Sequence, residues 1–210
     1  MNDFAFHTPS SLKEAAELLA QYDGDARVMS GGTALMLLLK QSLVNPDHII
    51  SLHRVPEARS IEVSDGVLHI GGLVTQREME LSPVVREATP LLANAYSRVA
   101  TVRIRNAATV GGGLAQADPA MDPPSSLLVL NASVKVTSAS GERIIPIADW
   151  YSDYYETPST KTRLSRNCWF RCSRPTWRGR TSSTCLAPRT TTRRCPSRRS
   201  AKPRTAKSLR

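Results

Sequence analysis

Apolar and polar positions alternate in two styles along this chain. Leu12, Ala15, Ala16, Leu18 and Leu19 recur at helical intervals, which predicts an amphipathic helix. Ser11 heads that helix, three residues before Glu14. This is a capping-box spacing, in which each side chain reaches a backbone N–H that the first turn leaves free. Phe4-Ala5-Phe6 before it reads as a short strand, and Gly24-Asp25 after it as a stop. Ala26–Met29 predicts a second strand, Ala34–Lys40 a helix, and His48–Leu52 a third strand beyond the break at Asn45-Pro46. The order is β-α-β-α-β.

The pattern then shifts to short alternating runs. Ser60–Val63 and Val67–Ile70 flank Asp65-Gly66, a strong hairpin signal. Ser82-Pro83 places a cap and an N1 proline ahead of a helix through Arg86, and Pro90–Arg98 predicts another. Leu127–Leu130, Ser133–Thr137 and Arg143–Pro146 read as short strands, or as a helix followed by strands. The fold class is α+β, with a small βαβ unit over residues 1–55 and a larger α+β part over residues 56–156.

Charge divides the 210 residues at one point. Residues 1–156 hold 12 Lys and Arg against 18 Asp and Glu, whereas residues 157–210 hold 16 Lys and Arg and no acid. All 4 Cys lie in this second stretch, and Arg, Lys, Ser, Thr and Pro fill 39 of its 54 positions. Such a composition predicts a disordered basic tail. Three origins compete for it. A nucleic-acid-binding arm fits the charge. Cys168-x-x-x-Cys172 hints at a metal site, but the other cysteines are distant and the tail has no His, so no zinc spacing is met. The third origin is a change of reading frame. Read two bases late from Thr157, with synonymous codons free, the first residues can spell AVDEDEIVAELLVPV, and WRGRTSSTCLAPRT can spell ARSYLKYLPRT. This acidic, then strand-like text restores the character of residues 1–156. Neither the start, MNDFAFHTPS, nor the longest apolar run, Ala34–Leu39, predicts a secretory leader or the roughly 20 residues of a membrane span, so the expected location is cytoplasmic.

Two glycine clusters carry the candidate chemistry. Ser30-Gly31-Gly32-Thr33 lies between a strand and a helix, where paired glycines let backbone approach a ligand and the helix offers free N–H groups to an anion. Thr109-Val110-Gly111-Gly112-Gly113 reads as a second such loop. Neither has the spacing of a Rossmann site nor the Lys of a phosphate loop. Each alone reads equally well as a tight turn; two hydroxyl-flanked loops in one small domain suggest one shared diphosphate. Asp118 and Asp122 follow, either as a solvated turn or as acceptors for a ribose hydroxyl. The four histidines are dispersed, and no nucleophile-base constellation appears, so any chemistry belongs to a cofactor.

FAFHTPSSLKEAAELLA, ARVMSGGTALM, IGGLVTQREME and RIRNAATVGGGLAQADPAMDPPSSLLVLNASV, in this order, resemble the FAD-binding medium subunit of molybdenum hydroxylases, the carbon monoxide dehydrogenase and xanthine dehydrogenase family. The resemblance covers roughly residues 3–156. It implies a PCMH-type, vanillyl-alcohol-oxidase-like FAD-binding domain of two α/β subdomains. It also implies that Ser30, Gly31, Gly32, Thr33 and Ala34 hold the FAD diphosphate, that Thr109, Val110, Gly111, Gly112 and Gly113 form the second loop, and that Thr75 lines the site. Asp122 matches a carboxylate that contacts the adenosine half. Gly113 stands where the family usually has Asn, and Ala34 where Asp or Ser is common; each removes a polar contact and lowers the expected affinity.

The implied function is electron transfer. In a heterotrimer, which can itself dimerise, a molybdopterin-binding large subunit oxidises substrate. A small subunit with two 2Fe–2S clusters relays electrons to FAD on this subunit, which passes them to an external acceptor. No side chain need act as acid or base. Family members continue past residue 156 with a YLK-type segment and a further domain, so the chain reads as a truncated product. A stand-alone flavin oxidoreductase of the same fold and a nucleic-acid-binding protein acting through the tail are the alternatives.

Overall fold

The computed structural model describes residues 3–22, 24–138 and 141–158, together with the backbone of 168–173. Its first layer follows the helical signal closely. Helix α1, Leu12–Gln21, is capped by Ser11, whose hydroxyl accepts from the Glu14 N–H at 3.1 Å. The returning half of the box is displaced by one residue. The Glu14 carboxylate accepts from the Ser10 N–H at 2.7 Å and from its hydroxyl at 2.9 Å. These bonds to Ser10 hold the Glu14 carboxyl below its ordinary range. Strands β1 (Ala5–His7), β2 (Ala26–Met29) and β3 (His48–Ser51) form a parallel sheet in the order β1-β3-β2, with helix α2 (Thr33–Lys40) joining the last two. Leu12 and Ala15 of α1 pack with Ala26, Ile50, Leu52 and Val55 into one apolar cluster.

The second layer begins at the predicted hairpin. Strands β4 (Ile61–Ser64) and β5 (Val67–Ile70) pair antiparallel around Asp65 and Gly66, whose φ values of 52° and 73° are those of a two-residue turn matched to strand twist. Helices α3 (Gln76–Leu81), α4 (Pro83–Ala88), α5 (Pro90–Arg98), α6 (Val102–Ala107), α7 (Val110–Gln116) and α8 (Pro123–Val129) follow, then strands β6 (Ser133–Ser138) and β7 (Gly141–Pro146). Of the two readings left open for residues 127–146, a helix followed by strands is the one adopted. Their main core gathers Leu68, Ile70, Met79, Leu92, Tyr96 and Trp150. Trp150, only 1% exposed, donates its indole N–H to the Leu114 carbonyl at 3.0 Å, which satisfies the single polar atom it buries. Burial pushes the Tyr96 hydroxyl well above its ordinary value, with Tyr151 adding to the shift.

One strand corrects the expectation for residues 157–210. Cys168–Ser173 forms β8, antiparallel to both β5 and β6, in the five-stranded order β4-β5-β8-β6-β7. Averaged composition hides this run: Cys168, Trp169 and Phe170 are good strand formers inside a stretch dominated by Arg, Ser, Thr and Pro. Thr157, at the start of the same stretch, is fully buried. Residues 174–210, with most of the basic charge, lie outside the described residues. Among the described residues no helix is long and apolar enough to cross a membrane.

Candidate functional site

The first glycine cluster joins β2 to α2. Gly32 caps α2 from the left-handed region, φ 70°, and offers no side-chain cap. Its carbonyl accepts the first helical bond, from the Met36 N–H at 2.9 Å. The N–H groups of Thr33, Ala34 and Leu35 therefore have no acceptor among the described residues. Residues 30–35 are half-buried and carry no carboxylate. Three free donors, a helix dipole and the absence of negative charge make a seat for an anion such as a diphosphate.

The second cluster is not a loop. Val110–Gln116 is helix α7, and Thr109 is its N-cap, accepting from the Gly112 N–H at 3.1 Å. The Val110 N–H bonds to the Val74 carbonyl at 2.9 Å, Gly111 to Gly72 at 2.9 Å, and Gly113 to Thr109 at 3.0 Å. All four amides from 110 to 113 are thus engaged within the chain. Glycine serves close approach here. The Thr109 hydroxyl donates to the Ser30 hydroxyl at 3.0 Å, and a Cβ on Gly112 would stand 2.6 Å from that same Ser30 Oγ. Likewise a Cβ on Gly31 would stand 1.9 Å from the Ala107 carbonyl oxygen. The second cluster is the surface on which the first is seated.

Thr75 joins this frame through its backbone, which bridges to Thr109, while Gln76 donates its N–H to Ala108 at 2.9 Å. Its hydroxyl is taken by a complete capping box with Glu78 at the head of α3. Thr75 is thus the N-cap of α3. Asp122 is exposed at the head of α8, and among the described residues no hydrogen bond ties its side chain to either glycine cluster. Its neighbour Met121 does reach α7, with its Cε 3.1 Å from the place of a Cβ on Gly113. The Asp118 carboxylate accepts from the Ala120 N–H at 2.9 Å and shapes the turn between α7 and α8.

Two features escaped the sequence. Gln76 is 2% exposed and its Oε1 has no partner among the described residues; the residue lines a cavity of about 10 Å³ with Gly113 and Met121, space for roughly one water. The Thr75-x-x-Glu78 spacing could have found helix α3 and with it Gln76. Arg105 is also buried, and its guanidinium meets Glu80 and two backbone carbonyls. Glu80 also pairs with Arg77 at 2.7 Å, and the two arginines, Arg77 foremost, hold its carboxyl below the ordinary range.

Comparison with known proteins places the arrangement. The family described as FAD binding domain in molybdopterin dehydrogenase matches residues 2–165. The carbon monoxide dehydrogenase medium chain of Hydrogenophaga pseudoflava is 32% identical over 154 residues, covering 73% of this chain and 54% of its own length. The nicotinate dehydrogenase FAD-subunit of Eubacterium barkeri is 34% identical over 152 residues, covering 72% and 51%. Among solved structures, quinoline 2-oxidoreductase from Pseudomonas putida 86 superposes with a TM-score of 0.79 at 31% identity, over 83% of this chain and 60% of that one. The chain spans about half the length of the curated relatives it matches. The free amides of α2 and the glycine contacts that shape their seat fit the diphosphate of the cofactor this family is named for. The chain belongs to the FAD-binding domain family of the molybdopterin dehydrogenases, and its cofactor is FAD.

Proposed function

We propose that this chain is the FAD-carrying part of a molybdenum-containing hydroxylase. It takes electrons from the iron–sulfur clusters of a partner subunit and passes them to an external acceptor. The carrying observation is the set of unpaired N–H groups on Thr33, Ala34 and Leu35, seated by Ser30 on Thr109. Ser30, Gly31, Gly32, Thr33 and Ala34 hold the diphosphate through backbone donors. Thr109, Val110, Gly111, Gly112 and Gly113 support that loop from below. Thr75 fixes the support in place, and Asp122, exposed and free of a capping bond, is available to a ribose hydroxyl. FAD, when bound, supplies the redox chemistry. The chain's own part is to bind it, orient it and tune its surroundings. The test is flavin absorbance per chain after purification and equilibrium titration with FAD. A chain that neither retains nor binds FAD would end this reading.

We further propose that the reading frame changes after Glu156. The shifted text brings the apolar run LLV into the start of the stretch that folds as β8, a central strand of the sheet. Sequencing the genomic DNA around codon 157 tests this directly. A clean frame through codon 210 in independent isolates would overturn it.

A further inference from the structure

The buried charge nearest the second glycine cluster belongs to Arg105, four residues before Thr109. Arg105 is 7% exposed. Its Nε donates to Glu80 Oε2 at 2.9 Å, and its Nη1 donates to the carbonyls of Val99 at 2.6 Å and Ala100 at 3.0 Å. One planar fork thus ties three places together: the end of α3, the turn before α6, and α6 itself. Ala100 sits in that turn at φ 43°, a conformation an alanine adopts only when its surroundings impose it.

Helices α3 and α6 lie side by side and are pinned at both ends. At one end Gln76 bonds to Ala108 and the Thr75 backbone bridges to Thr109. At the other end stands the Arg105–Glu80 pair. Between them, the C-terminal turn of α6 presents the Ala107 carbonyl against which Gly31 is packed. Thr109, two residues beyond that turn, carries the hydroxyl that holds Ser30. A small rotation of α6 would therefore move both contacts of the anion-binding loop at once.

We propose that Arg105 is a positioning residue for that loop: with Glu80 and the Val99 and Ala100 carbonyls it fixes the end of α6, and so sets where Ser30 to Gly32 stand. Arg105 need not touch the cofactor. The inference rests on the FAD reading only for its binding readout. A buried ion pair is weak evidence for stability and a better candidate for fixing geometry. Lysine cannot replace this arginine, because a single ammonium on a flexible stem does not reproduce the fork to three acceptors.

The experiment uses the full chain and the variants R105K, E80Q and V136A. Val136 is fully buried in β6 and makes no contact with Arg105 or Glu80 in the ion pair, so V136A serves as a control for general loss of stability. Two quantities are read: hydrogen exchange at the Val110 to Gly113 amides, and the FAD dissociation constant of the folded fraction. R105K is expected to raise both by about tenfold. E80Q, which keeps the shape and loses the charge, should raise both by a smaller factor. V136A should lower the melting temperature, leave the dissociation constant unchanged, and raise exchange at these amides no more than at the β6 amides. Wild-type exchange and affinity in R105K would overturn the proposal, as would equal loosening in V136A. If R105K does not fold, E80Q decides by the same two quantities. If wild type binds no FAD, the FAD reading fails, while the exchange measurement still decides the role of Arg105.

Discussion

Two glycine-rich segments, Ser30–Ala34 and Thr109–Gly113, look alike in sequence and do opposite things in the fold. The first leaves its donors free at the head of α2, because Gly32 turns the chain without supplying a cap. The second has every donor engaged and its N-cap hydroxyl committed both inward, to Gly112, and outward, to Ser30. One segment keeps free donors at a helix head and the other spends its donors on the protein. Glycine content alone does not tell them apart. What does is the residue in front of the helix: a hydroxyl that caps, or a glycine that cannot.

The most severe way to break this pairing is to separate the segments. Gly31→Val would drive a side chain into the Ala107 carbonyl oxygen, 1.9 Å from the Cβ position. Backbone cannot yield as a flexible side chain can, so we expect a loss of about 3 kcal/mol. That corresponds to a fall of about 10 °C in melting temperature by scanning calorimetry. An unchanged melting temperature would show that the two segments are not in contact. Gly32→Val is the sharper test of function. Its Cβ would meet the flexible side chains of Met29 at 3.2 Å and Met36 at 3.8 Å, but valine at φ 70° is strained by about 1–2 kcal/mol and would distort the cap. Flavin retention should vanish while circular dichroism stays near wild type. Equal flavin content in both proteins would remove the first segment from the site.

The sequence made the first segment legible and the second only in part. A strand, two glycines and a helical apolar run place Ser30–Ala34 at a helix head without further help. Thr109–Gly113 reads as a loop because three successive glycines are poor helix formers. Tertiary contact overrides that preference: Gly111 and Gly112 need to lie against Gly72 and Ser30, and a helix begun by Thr109 puts them there. Helix α3 is legible only through the Thr75-x-x-Glu78 capping-box spacing, and Thr75 read as a lining residue does not point to it. Arg105 was invisible for a different reason. Nothing in RIRN distinguishes the arginine that is 7% exposed from Arg103, which is exposed; only the fold decides which one points inward. Strand β8 was missed because an average over 54 residues conceals six.

Ser30→Ala refines the comparison with a smaller change. It removes the oxygen that accepts from Thr109 and leaves that hydroxyl its bond from Gly112. One hydrogen bond of this kind is worth about 1 kcal/mol. Because it joins the two segments, the loss should appear as a several-fold weaker FAD affinity alongside the fall in stability. A fall in stability with unchanged affinity would mean that Ser30 is only part of the scaffold.

The smallest effect expected is one of pH, and it separates the frame from the ligand seat. Glu80 has its carboxyl lowered below the ordinary value of 4.5 by its bonds to Arg77 and Arg105. The folded state therefore binds this proton less readily than the unfolded chain does. Its contribution to stability is present in full above the unfolded value and is lost as pH falls through the lower, folded value. Wild type should thus lose stability in mild acid, below about pH 4.5, more steeply than E80Q, and the two curves should run parallel between pH 6 and 8. Denaturant titrations of both proteins at intervals of pH measure the difference in slope. Parallel curves through the acid range would mean that Glu80 holds Arg105 no more tightly when ionised than when neutral. The second segment would then owe its position to the Thr75–Thr109 end of the frame alone.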